Sequence, residues 1–336
     1  MLMVIFGAGA SYDSVPAIPI GVNTGNRLPL AKDLFIRTGL TMQAMAAFPQ
    51  CQALMPEFQN PSNNETVEQI LQRLQEENHP LRTQQLAAVR FYLQFLITRW
   101  QENWKSEARS GTNYQVLLND LQGMRSPDEL VCLVTFNYDT MLEDAITSTL
   151  RMPIRGLGSY ICHEHYKVIK LHGSVNWARE VHTRGQGTSN ELALALELID
   201  RIDELNMSQN YVMAAASPPG RSERNAPLFP AIAIPVERKN SYECPDDHVQ
   251  ALKASLPQIS HLLIIGWRAA EEHFLTLLSE GLPNVRAHIV AGSKSDVDEI
   301  VDRLGRAPVR ADVAGATVEG FTQFTREHRL RDFLRG

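Results

Sequence analysis

Cysteine is scarce in this chain. Among 336 residues there are four, Cys51, Cys132, Cys162 and Cys244, and no two of them form a C-x-x-C pair. A structural zinc ribbon therefore has no ligands, and cysteines so scattered are expected to be reduced thiols in a cytoplasmic protein rather than a disulfide framework. No apolar run approaches the roughly 18 residues that span a bilayer, so no membrane partner is expected. The opening stretch "MLMVIF" is preceded by no basic segment and is too short for the apolar core of a signal peptide. Positive charge is not in excess: 32 Lys and Arg stand against 38 Asp and Glu, a formal net charge of −6. That argues against a broad phosphate-binding surface and against nucleic acid as a direct partner. Internal repeats and low-complexity tracts are absent too.

What is present is a chain that is 44% hydrophobic and 21% charged, enough for a large core or two small ones. Short runs rich in Val, Ile and Leu recur at "MVIF" (3–6), "LVCLVT" (130–135), "KVIKL" (167–171), "HLLII" (261–265) and "AHIVA" (287–291). Strands buried on both faces read this way. Helical patterns lie between them, among them "ETVEQILQRLQEE" (65–77), "LAAVRFYLQFLITRW" (86–100), "TMLEDAITSTL" (140–150) and "DVDEIVDRL" (296–304). The alternation predicts an α/β fold, a Rossmann-like doubly wound parallel sheet. Residues 1–40, 129–177 and 229–336 are expected to form that discontinuous domain. Residues 41–128 and 178–228 interrupt the alternation and are expected to build a smaller helical lobe. The last helical pattern, "GFTQFTREHRLRDFLRG" (320–336), is expected to be part of this domain, with no separate sensor domain after it.

In open α/β sheets, ligands bind beyond the carboxyl ends of the strands. The residues directly after each apolar run are Gly7-Ala8-Gly9-Ala10-Ser11, Phe136-Asn137-Tyr138-Asp139, His172-Gly173-Ser174, Gly266-Trp267 and Gly292-Ser293. Gly7 and Gly9 suit a tight turn whose backbone approaches a pyrophosphate. They equally suit a purely structural strand-to-helix turn, because Tyr12 stands where G-x-G-x-x-G requires its third glycine. Asp139 or Thr140 before "MLEDAI" makes a good helix start, with or without a ligand. His172 is either a satisfied histidine at a strand end or a functional one, and Gly173 beside it leaves room for something to approach.

Taken in order, G-A-G-A-S, T-x-N-x-D and L-H-G-S, each closing an expected strand, resemble the sirtuin family of NAD-consuming proteins. The likeness is greatest to the bacterial branch that hydrolyses NAD in antiphage defence. "LPLAKDLF" (28–35), "TVEQIL" (66–71), "KLHGSVNW" (170–177) and "LLIIGW" (262–267) extend the resemblance, with gaps, from residue 3 to about 293. It implies that Gly7, Ala8, Gly9 and Ser11 hold the diphosphate, that Asn137 and Asp139 face the nicotinamide ribose and carboxamide, and that His172 is the catalytic histidine. Gly266, Trp267, Gly292 and Ser293 match segments lining the ribose and adenine end. The zinc-binding cysteines of the deacylases have no counterpart here, and "VPAIPIG" (15–21) stands in place of their acid- and arginine-bearing segment. NAD hydrolysis is therefore expected ahead of protein deacylation, ADP-ribosyl transfer or nucleotide sensing without turnover.

The chemistry asks little of the protein. The leaving group is a cationic pyridinium, and the transition state is oxocarbenium-like. Asp139 is expected to hold the carboxamide, Asn137 to orient a water or ribose hydroxyl, and His172 to act as general base. No metal is required. An unregulated NAD hydrolase would kill its host, so control is expected through homo-oligomerisation or a separately encoded partner such as an ATPase or an Argonaute-like protein.

Overall fold

The computed structural model describes residues 1–14, 27–61, 65–77, 79–108, 111–124, 129–182, 188–236 and 242–335. Six strands form one parallel sheet: β1 (Leu2–Phe6), β2 (Val131–Thr135), β3 (Tyr166–Lys170), β7 (His261–Ile265), β8 (Val285–Val290) and β9 (Ala311–Thr317), while β4 (Gly173–His182), β5 (Asn206–Met213) and β6 (Leu228–Ile232) form a separate antiparallel one. The large sheet runs β3-β2-β1-β7-β8-β9, the doubly wound Rossmann-like order in which the chain reverses its direction of travel between β1 and β7. Val4 is flanked by Leu133 and Leu263, and the three strands stay in register to their carboxyl ends. Every residue of β1 and β2 is buried. That explains why these segments are continuous apolar runs rather than alternating ones.

Helices supply the crossovers. After β1 come α1 (Ala8–Tyr12), α2 (Gly39–Ala47), α3 (Met55–Gln59), α4 (Val67–Glu76), α5 (Pro80–Ala108) and α6 (Asn113–Met124); α7 (Met141–Thr149) joins β2 to β3. Further on are α8 (Glu191–Asp200), α9 (Asp246–Ser255), α10 (Glu272–Gly281), α11 (Lys294–Arg306), α12 (Gly320–Arg326) and α13 (Arg329–Arg335). At 1.5 Å per residue α5 is about 44 Å long. It packs on α2, α4 and α8 and on both β4 and β6. α6 instead packs on α7, α12 and α13, against the parallel sheet's own helices.

The antiparallel sheet β5-β4-β6 is not among the expected elements, and it straddles the expected bounds of the second insertion, since β4 starts at Gly173 and β6 ends at Ile232. β6, "LFPAI", contains Pro230 and lies at an edge, where a missing N–H is tolerated. The sixth parallel strand, β9, was not apparent as an apolar run. It is also an edge strand, and its residues alternate between half-buried and exposed.

No described helix is long and apolar enough to cross a membrane. Cys51, Cys132 and Cys244 are buried free thiols and Cys162 is an exposed one. Burial pushes the Cys132 thiol up to about 12.

β8 carries a half-buried titratable group. The His288 ring lies between Phe324 and Phe333, and Nε2 lies 3.0 Å from Thr317 Oγ1. Burial first, and the Arg329 guanidinium second, push this imidazole down to about 4. The unfolded chain binds that proton near the ordinary histidine value of ~6.5, so between the two values stability rises with pH. The contribution of neutral His288 is complete above about 6.5 and is lost as the pH falls toward 4. Thermal unfolding followed from about pH 7.5 to about 4.5 is expected to show a falling midpoint, with a shallower slope in His288→Gln.

Candidate functional site

At the β1–β7 switch point the carboxyl ends of the two strands meet in a backbone contact. Gly7 N donates to Ile265 O at 3.0 Å and Gly9 N to Gly266 O at 3.1 Å. A Cβ on Gly7 would sit 2.4 Å from Gly266 O, and one on Gly9 would sit 2.9 Å from Gly266 Cα. Gly7 has an ordinary φ of −109°, so what it contributes is the missing side chain, not conformational freedom. Gly266 contributes both, with φ +59° and a would-be Cβ 2.4 Å from Ala10 N. The glycines are thus explained first by protein meeting protein. The outer side of the turn remains open: Ala8 is exposed and Gly9 half-buried.

Asn137 is tied to this turn. Its Nδ2 donates to Gly7 O and Ser11 Oγ, each at 2.9 Å, and to Tyr114 OH at 3.2 Å. A backbone carbonyl can only accept, so the amide orientation is determined: the NH2 points into the fold, and Oδ1 is the atom left to accept from a ligand. Ser11 Oγ and Tyr114 OH share a hydrogen bond of 2.9 Å. Tyr114 comes from α6, its ring edge-on to Phe6 and Phe321. Burial holds its hydroxyl well above the usual tyrosine range, so it is a neutral bridging group. Sequence reasoning missed Tyr114. The available signal was general: a buried tyrosine hydroxyl needs a polar partner.

Asp139 is buried, and its Oδ1 accepts from Met141 N at 3.0 Å. One carboxylate oxygen therefore starts α7, as the helix-start reading anticipated. The Asp139 carbonyl accepts from Lys170 Nζ. Lys170 is wholly buried and pairs with Glu143 Oε1 at 2.9 Å. Tyr160 OH donates to the same oxygen at 3.1 Å. Burial, the largest influence, raises the Glu143 carboxyl above its ordinary value against the opposing pull of Lys170. This pair also escaped the sequence reading, although a lysine closing a strand buried on both faces must find a counter-charge.

His172 is at the end of β3, 5% exposed, with its ring edge-on to Phe136 at 4.8 Å. Phe136 stacks on Trp267 at 5.4 Å, and both rings meet Phe274 edge-on. The row joins the ends of β3, β2 and β7. Trp267 itself is 2% exposed, and its Nε1 donates to Glu271 Oε2 at 2.6 Å. Its side chain is packed between the Phe136 and Phe274 rings and Glu271. Gly173 adopts φ +79°, and a Cβ there would lie 1.9 Å from Ala231 O. The space beside His172 is therefore taken by β6, not left for a ligand.

The structure brings Gly7, Gly9, Ser11, Asn137 and Gly266 into one hydrogen-bonded knot, with the His172 row beside it. Gly292 and Ser293 are exposed at the end of β8, and Ser293 Oγ caps α11 by accepting from Asp296 N at 3.2 Å. The segment "VPAIPIG" lies outside the described residues. Among the described residues no cluster of His, Cys, Asp and Glu suits a metal ion. Comparison with protein-family models and with curated proteins finds no match to this chain.

If the glycines serve the β1–β7 contact, their replacement acts before any ligand is added. Gly7→Ala and Gly9→Ala are each expected to lower stability by about 1–3 kcal/mol through overpacking. Gly123→Ala in α6, where a Cβ would meet nothing within 4 Å, serves as the control and is expected to be neutral or stabilising. Calorimetric unfolding of the ligand-free protein measures all three. Unchanged midpoints for Gly7→Ala and Gly9→Ala would leave ligand approach as the reason for these glycines.

Proposed function

We propose that the chain is an NAD hydrolase that releases nicotinamide and leaves ADP-ribose, of the sirtuin-like kind its motif order resembles. The observation that carries the reading is the orientation of Asn137. Gly7 O, Ser11 Oγ and Tyr114 OH surround its amide nitrogen at the switch point, so the group left to a ligand is the carbonyl oxygen. Such an acceptor orients a water or a ribose hydroxyl next to a carbon that is becoming an oxocarbenium ion. His172 stands at the neighbouring strand end and takes the proton from that nucleophile as nicotinamide departs. NAD supplies its own cationic leaving group, and Asp139 is the polar group nearest in sequence for the carboxamide.

The diphosphate falls to the open side of the Gly7–Ser11 turn, where Ala8 is exposed. α1 has only five residues, so binding rests on the turn's own N–H groups more than on a helix dipole. Gly292 and Ser293 belong to the adenine end in this reading. In the cell the enzyme acts as an antiphage effector that depletes NAD, held in check by homo-oligomerisation or by a separately encoded ATPase or Argonaute-like partner.

Incubation with NAD, followed by chromatography of the products, tests the reaction. His172→Ala and Asn137→Ala are each expected to lower nicotinamide release by about 10²–10⁴. Unimpaired release by His172→Ala overturns the assignment of the base. Binding of NAD without any turnover by the native chain, alone or assembled, makes the site a sensor instead.

A further inference from the structure

α6 holds the turn after β1 and the short helix α1 at two points. At the first, Asn113 Nδ2 donates to Asp13 O and, at 2.9 Å, to Thr322 Oγ1, while Asn113 Oδ1 accepts from Thr325 Oγ1 at 3.2 Å. Asp13 Oδ2 accepts from Thr322 N at 2.8 Å, so the start of α12 closes the same knot. These bonds fix the first turn of α6, and with it the residue after Asn113. That residue is Tyr114, whose hydroxyl meets Ser11 Oγ and Asn137 Nδ2 at the second point.

The hydroxyl, and not the ring, needs a reason. The ring is 1% exposed and packs edge-on against Phe6 and Phe321, a place that phenylalanine would fill as well. A hydroxyl taken out of water costs free energy unless it is hydrogen-bonded. Among the described residues this one bonds only to Ser11 and Asn137. The direction of each bond follows from the donor inventory. An amide nitrogen can only donate, so Tyr114 accepts from Asn137, and the one acceptor left for its own hydrogen is Ser11 Oγ. Ser11 is thereby kept as an acceptor toward Asn137 Nδ2. Without the phenol, the serine hydrogen can turn toward Asn137, where it opposes Nδ2 and favours Oδ1.

We propose that Tyr114 is a positioning residue: its hydroxyl, acting directly and through Ser11, keeps the Asn137 amide nitrogen inward and the carbonyl oxygen turned to the reacting nucleophile. That this serves a reaction rests on the NAD reading of the site; that Tyr114 orients Asn137 does not.

Tyr114→Phe deletes the hydroxyl and keeps the ring. Nicotinamide release by the full chain is expected to fall about tenfold in kcat, the size of one lost hydrogen bond. KM for NAD is expected to stay within about twofold, because the lost restraint acts in the transition state. In the ligand-free protein the Asn137 side-chain amide signals of nitrogen–proton correlation spectra are identified by their absence in Asn137→Ala. In Tyr114→Phe they are expected to shift and to exchange with solvent at least about tenfold faster. Tyr92→Phe removes a different buried hydroxyl, which donates to Leu34 O at 2.6 Å. It is expected to lower the melting temperature and to leave kcat, KM and the Asn137 signals unchanged. Unmoved Asn137 signals in Tyr114→Phe, an unchanged kcat in an active chain, a loss confined to KM, or equal losses in Tyr92→Phe overturn the proposal. Absence of nicotinamide release by the native chain overturns the NAD reading instead, and the Asn137 signals then decide by themselves whether Tyr114 orients that amide.

Discussion

Three glycines let the carboxyl ends of β1 and β7 touch backbone to backbone, and the candidate site is arranged around that contact. The two strands lie side by side at the point where the sheet changes its direction of winding. A side chain on Gly7, Gly9 or Gly266 would occupy space filled by the facing main chain. With the two loops locked, Gly7 O and Ser11 Oγ become fixed acceptors. Asn137, one strand away, turns its amide to meet them. The orientation of the group assigned to catalysis is therefore inherited from a packing constraint that no ligand is needed to impose.

The buried Lys170–Glu143 pair does similar work one layer outward. A pair of this kind contributes little net stability compared with an apolar pair of the same volume, while loss of one member costs about 3–5 kcal/mol. What it supplies here is position. Lys170 at the end of β3 reaches the Asp139 carbonyl and a carboxylate on the first turn of α7 together. The loop after β2 is consequently held from both sides, by Asn137 toward β1 and by Lys170 toward β3.

The parallel core was legible because strands buried on both faces are continuous apolar runs, and five such runs became β1, β2, β3, β7 and β8. The edges were not. "ADVAGAT" in β9 buries only its last residue fully, and Pro230 in β6 speaks against a strand unless the edge position is known. The strand-end rule singles out Gly7, Gly9, Ser11, Asn137 and Gly266, and doubly wound topology does bring these positions together. It does not foresee that the positive φ of Gly173 serves a contact with Ala231, or that Trp267 is packed against its neighbours. Tyr114 was out of reach. Its hydroxyl acts 23 residues before Asn137 and 103 after Ser11, and only the assembled helix layer puts the three together.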